Sequence, residues 1–170
     1  MTTTTSTRKL LLIVHIVLSI GWVGALSGFV VLSMAGLISD DLVVARSAYV
    51  SMDLVNRFAI VPFAILALLT GIIQSLRTPW GLARHYWVLF KLLIIATATF
   101  MLLMKTGQIS TMASVAGETS FSVDNLRELR VSIIIHAIGG VAVLLWATTL
   151  AVYKPTAETP FARKAPAWWL

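Results

Sequence analysis

His15 to Gly28 reads HIVLSIGWVGALSG. It lies inside an apolar run from Leu10 to Leu32, and a bilayer-crossing helix needs about 20 apolar residues. His15, Ser19 and Trp22 stand at i, i+4 and i+7, one face of a helix. An ionisable side chain inside hydrocarbon is costly and marks a candidate functional site. Gly24 and Gly28 follow at the spacing that allows close helix packing.

Outward from this stretch the same pattern recurs. The chain has 170 residues, 58% hydrophobic and 12% charged, against roughly 25% charged in a soluble domain. The charges avoid four long segments, which predicts an all-α polytopic membrane protein, an antiparallel four-helix bundle with spans at about 10–34, 54–76, 86–105 and 130–153. Residues 1–9 and 156–170 read as polar and proline-containing tails, the latter ending in Trp168-Trp169-Leu170. Arg8 and Lys9 before an apolar run resemble a signal peptide, but the run exceeds the 7–15 residues of a signal core. The net charge of +6 comes from residues flanking the spans. That points to topology and anionic lipid, not nucleic acid. With no cysteine, thiolate metal sites and iron–sulfur clusters are excluded.

Polar connections are expected at Ser39–Ser51 and Thr106–Asn125, and Thr78-Pro79 and Gly81 supply turn chemistry between the second and third spans. Asp124 is a candidate cap for the last helix. Pro62 predicts a kink by freeing the Phe58 carbonyl, and Ala67 and Gly71 form a small-xxx-small pair. Trp80, Tyr86 and Trp87 read as an interfacial aromatic belt. Seven Lys and Arg near span ends lie on the side of the termini and five on the other. The positive-inside rule then places both termini in the cytoplasm, as in a bacterial inner-membrane protein.

Helix rise converts position into depth. His15 lies roughly 8 Å inside the cytoplasmic edge of the core. Lys91 sits at about the same depth on the third span, level with Thr70 to Gln74 on the second, and His85 lies at the rim. The inner half of the bundle can gather His15, Ser19, Gln74, His85, Lys91, Thr148 and Thr149. His136 enters from the other side, with Asp53, Asn56 and Arg57 as expected neighbours in an outer, structural cluster. The offset between His15 and His136 is then on the order of 13 Å in a core of about 30 Å, a poor pair of axial ligands. Each residue also has a plainer reading: a helix–helix hydrogen bond for His15, snorkelling for Lys91, interfacial placement for His85. Met101 and Met104 are soft ligands for Cu(I) or simply apolar filling.

HIVLSIGWVG in the first span, HYWVLFKLL at the third and ATTLAVYKP at the close of the fourth resemble a superfamily of small bacterial four-helix membrane proteins. It includes the HemJ-type protoporphyrinogen oxidases, the CopD copper-resistance proteins and an uncharacterised branch. The stretch TGIIQSLRTPWGLARHYWVLFKLL is most similar to that last branch, and the likeness covers about residues 10–155. The resemblance implies haem or porphyrin binding by His15 and Lys91. The region after the lysine, LLIIATATFMLLMK, lacks the further histidines of HemJ-type chains.

The leading expectation is a haem b redox site near the cytoplasmic side: His15 as axial ligand, Lys91 against a propionate, Trp22 walling the pocket and His85 as a possible second ligand. If the protein is an enzyme, it is then an oxidoreductase of HemJ-like type. The alternatives are a cofactor-free accessory or scaffold subunit of a membrane complex, alone or as a homo-oligomer in the lipid bilayer, and a copper or other metal-ion transporter. The transporter ranks last because an apolar middle separates the inner and outer polar clusters.

Overall fold

The structure, a computed structural model, describes residues 5–77, 82, 84–118, 121, 126–153 and 159–160. Trp80, Asp124, the Thr78-Pro79 and Gly81 turn and residues 161–170 lie outside the described residues.

The fold is an all-α bundle of four long helical runs, each long and apolar enough to cross a membrane. Helix α1 spans Thr5–Ile38. The second run consists of α2 (Leu42–Val55), a π-helical turn (Asn56–Ile60) and α3 (Val61–Leu76). Helix α4 spans Tyr86–Gly117 and α5 spans Arg127–Tyr153. The protein is a multi-pass membrane protein.

All four of these runs outlast the expected spans, the second and third by about 12 residues each. The predicted connection at Ser39–Ser51 shrinks to Ser39–Asp41, and α4 continues past Lys105 to Gly117. Hydropathy marks where the lipid stops, whereas a helix continues as long as it has a face to bury. In α2 that face is Ala45, Ala48, Tyr49 and Met52, and at the end of α4 it is Ile109, Met112 and Ala116. Asp41 starts α2 by accepting the Val43 amide at 2.8 Å, an N-cap bond. Leu126, just before α5, has φ 57°, a left-handed conformation that a leucine adopts only under tertiary constraint.

Pro62 acts through the π turn. The Val61 amide reaches back to the Asn56 carbonyl, an i→i+5 bond, and Pro62 has no amide of its own to offer. The expected disturbance is therefore a widened turn directly before the proline. It aims Asn56 into the core, where the residue is fully buried.

Helix α1 packs on α2, α3 and α5, and α4 packs on the same three. The α1 and α4 helices thus occupy one diagonal, the α2–α3 run and α5 the other. Side-chain contacts set the register. Along the α1 hairpin, Ser33 meets Met52 (Oγ to Sδ 3.8 Å), Gly21 backs onto the Phe63 ring and Gly71 onto His15. Between α1 and α5, Gly140 faces Leu26, and Arg130 reaches the carbonyls of Gly36 and Leu37. The largest fully buried side chains, Tyr49, Met52, Ile60, Met112 and Asn56, all lie in the half of the bundle away from the termini. At the terminal end Thr159 is buried, and its amide donates to the Arg84 carbonyl at 2.9 Å. Thr159 thus lies against the α3–α4 loop.

Candidate functional site

His15 projects from α1 onto the glycine face of α3. Its Nδ1 lies 3.0 Å from the Thr70 hydroxyl oxygen. That hydroxyl places its own proton on the Leu66 carbonyl at 2.7 Å, so its oxygen accepts and His15 Nδ1 donates. This assignment leaves Nε2 as the nitrogen with the free lone pair. The imidazole fits here because Gly71 has no side chain: a Cβ at that position would stand 3.1 Å from His15 Cε1. The pairing of Ala67 with Gly71 thus admits a histidine ring between the two backbones.

Lys91 on α4 is half-buried and close enough to His15 for their charges to interact. His15 and Thr70 therefore meet across α1 and α3, with the Lys91 charge on α4 within Coulomb reach of the imidazole. Three other members of the expected inner cluster bond to their own helices. Ser19 donates to the His15 carbonyl at 2.8 Å, and Thr148 and Thr149 donate to Leu144 and Leu145 at 2.8 and 3.0 Å. These are bonds back onto the residues' own helices. Gln74 is half-buried on α3.

His85 precedes α4, six residues before Lys91, so it lies roughly 9 Å nearer the terminal rim. That offset disfavours His85 as a second axial ligand on an iron held by His15 of the same chain. Trp22 is buried two turns deeper than His15, and its Nε1 has no partner among the described residues.

The outer cluster forms only in part. Arg57 Nε pairs with Asp53 Oδ2 at 2.8 Å, and Arg57 Nη2 donates to Ser110 Oγ at 2.6 Å. Asn56 Nδ2 donates to Thr106 Oγ1 at 3.2 Å. His136 does not join them. It is exposed, and its Nδ1 donates to the Ser132 carbonyl one turn back at 2.7 Å. The α1–α5 register puts His136 level with residues near 30 of α1, the level that Ser33 and Met52 give to Asp53 through Arg57. The direction differs, because α5 lies diagonally across from the α2–α3 run and His136 points away from the bundle. The same register separates His15 from His136 by on the order of 22 Å, more than the spans imply.

The sequence reading missed Arg130. It is the only Lys, Arg, Asp or Glu buried among the described residues. Its Nε donates to the Tyr49 hydroxyl at 2.6 Å and its Nη2 to the Gly36 carbonyl at 2.6 Å and the Leu37 carbonyl at 3.1 Å. A guanidinium at the C-terminal end of α1 satisfies carbonyls that lack intrahelical partners and complements the helix dipole. The available signal was its place on the buried stripe of α5, in phase with Ile133 and Ala137.

Met101 and Met104 are exposed on α4, and no three His, Cys, Asp or Glu come together as a metal-holding group among the described residues. The donors at His15 are one imidazole whose Nδ1 is held by the Thr70 hydroxyl, with Gly71 against its Cε1 edge and the Lys91 charge within Coulomb reach. Comparison with known proteins finds no matching family model, no similar curated protein and no similar solved structure.

Proposed function

We propose that the protein is a haem-binding redox component of a bacterial inner membrane, with both termini cytoplasmic and the site in the cytoplasmic half of the bundle. The observation that carries this reading is the His15–Thr70 hydrogen bond. A ligating histidine ordinarily donates its other ring N–H to a fixed acceptor, which sets the tautomer and orients the ring, and Thr70 occupies that role for Nδ1. Nε2 would bind the iron. Lys91 would neutralise a propionate and Trp22 would wall the apolar side. Haem b supplies one-electron transfer at a potential tuned by ligand, hydrogen bonds and burial.

The test is an optical spectrum of protein purified after expression with adequate haem. A Soret band is expected that is lost in His15→Ala and weakened in Lys91→Met. No band in the wild type, even after reconstitution with haemin, ends the proposal. The scaffold reading has its own support, because the best-packed part of the molecule is the half away from His15. It predicts stoichiometric co-purification of partner subunits with no spectral signature.

A further inference from the structure

Gly24 and Gly28 do not pack inside this bundle. A Cβ built on either meets nothing within 4 Å, and both are exposed on the outward face of α1. The face continues as Val17, Ile20, Gly24, Gly28, Val31 and Ile38, with no charged residue, along one unbroken helix.

Part of this face stands beyond the membrane. Exposed apolar side chains on α4 run from Tyr86 to Met104, followed by exposed Gly107, Gln108, Thr111 and Ser114. On α5 they run from Ile135 to Tyr153. Each band is about 28 Å long, close to the ~30 Å of a hydrocarbon core. The Asn56–Thr106 bond and the α1 hairpin register carry the outer edge of that band to about Phe29 on α1. Yet Val31 is 65% exposed, Ile38 72% and Val43, at the start of α2, 71%, with Met34 and Val44 between them.

The overrun from Phe29 to Ile38 is roughly 14 Å. Tilt absorbs only part of it. An average tilt of about 20° across a bundle diagonal of roughly 14 Å displaces the water line by about 5 Å. One side of the protruding end is thus polar, on α4, and the other, on α1 and the start of α2, is apolar on either side of a turn that carries exposed Asp40 and Asp41. An extended apolar patch on a water-facing surface marks a protein contact.

We infer that this face of α1, with the start of α2, is a homodimer interface, α1 against α1 of a second copy about a two-fold axis along the membrane normal. The occupant must present a lipid-embedded helix and an apolar extension above it, on one straight surface without charge up to the α1–α2 turn, where Asp40 and Asp41 are exposed. The α1 face of another copy has both. A two-fold axis brings Gly24 and Gly28 of each copy to the crossing point. The α4 face has the lipid-embedded helix but not the extension, because exposed Gly107, Gln108, Thr111 and Ser114 stand in its place.

The chain contains no cysteine, so single cysteines report cleanly. Val31→Cys and Ile38→Cys, oxidised in liposomes at low protein density, are expected to give disulfide-linked dimers. Gln108→Cys and Ser114→Cys are expected to give none. Gly28→Leu has open space within the protomer, so it should leave helix content and thermal stability unchanged. It should lower the dimer fraction, read by single-molecule photobleaching, by about tenfold. A chain that stays monomeric overturns the inference, which covers capture by a different protein as well as cover by lipid alone. So does equal cross-linking from the α4 positions, or a dimer insensitive to Gly28→Leu.

Discussion

Arg130 shows how much one side chain can hold. Its guanidinium joins the end of α1 to Tyr49 on α2 from its seat on α5, and lies 5.6 Å from the Tyr49 ring centre. Replacing it with methionine keeps the bulk but leaves a buried phenol and two carbonyls unmatched, at roughly 1–3 kcal/mol for each unsatisfied group. Arg130→Met is expected to lower stability by about 3 kcal/mol, read by thermal unfolding in detergent; a change within experimental error would refute the staple. Gly36 sits beneath the same tyrosine, where a Cβ would stand 2.7 Å from Tyr49 Cζ. Gly36→Ala must displace that ring, so a loss of about 1–3 kcal/mol is expected. Leu126 offers the opposite sign. It is exposed and left-handed, so Leu126→Gly removes backbone strain at little loss of burial and is expected to raise stability by about 1 kcal/mol. Sequence reasoning found His15 because an isolated imidazole in an apolar run stands out. It missed Arg130 because a basic residue at a span end reads as a topology signal.

At the scale of elements, the π turn ahead of Pro62 determines where Asn56 points. One amide hydrogen of Asn56 meets Thr106, while its Oδ1 is buried without a partner among the described residues. The two partners therefore differ in cost. Thr106→Val strands the Asn56 amide and is expected to cost about 1–3 kcal/mol, whereas Asn56→Leu removes donor and orphaned acceptor together and should fall within about 1 kcal/mol of wild type. Equal losses in the two variants would mean that Asn56 has a ligand or an ordered water. The disturbance at Pro62 was legible from the missing amide. Its form was not, because a kink and a π turn both accommodate a proline and the choice depends on what the turned side chain can bury. The true ends of α2 and α4 were hidden for a related reason, since their polar residues face outward and only the packed face keeps them helical.

At the scale of the molecule, the even number of crossings puts both ends of the chain on one side, and Thr159 lies against the α3–α4 loop there. On the proposed orientation, a cysteine introduced at Ser39 is expected to react with an impermeant maleimide added outside intact cells; labelling only after the membrane is broken would invert the topology. The sequence by itself determined the class and the number of crossings and ordered the polar groups by depth, because hydropathy and a rise of about 1.5 Å per residue are local and additive. Depth alone brought His15 level with Thr70. Tertiary structure decided direction around each helix axis: His15 inward onto Gly71, His136 away from Arg57, Arg130 into the core and Gly24 and Gly28 out of it. Azimuth depends on which helices are neighbours and which are diagonal, and that follows only from how all four pack at once.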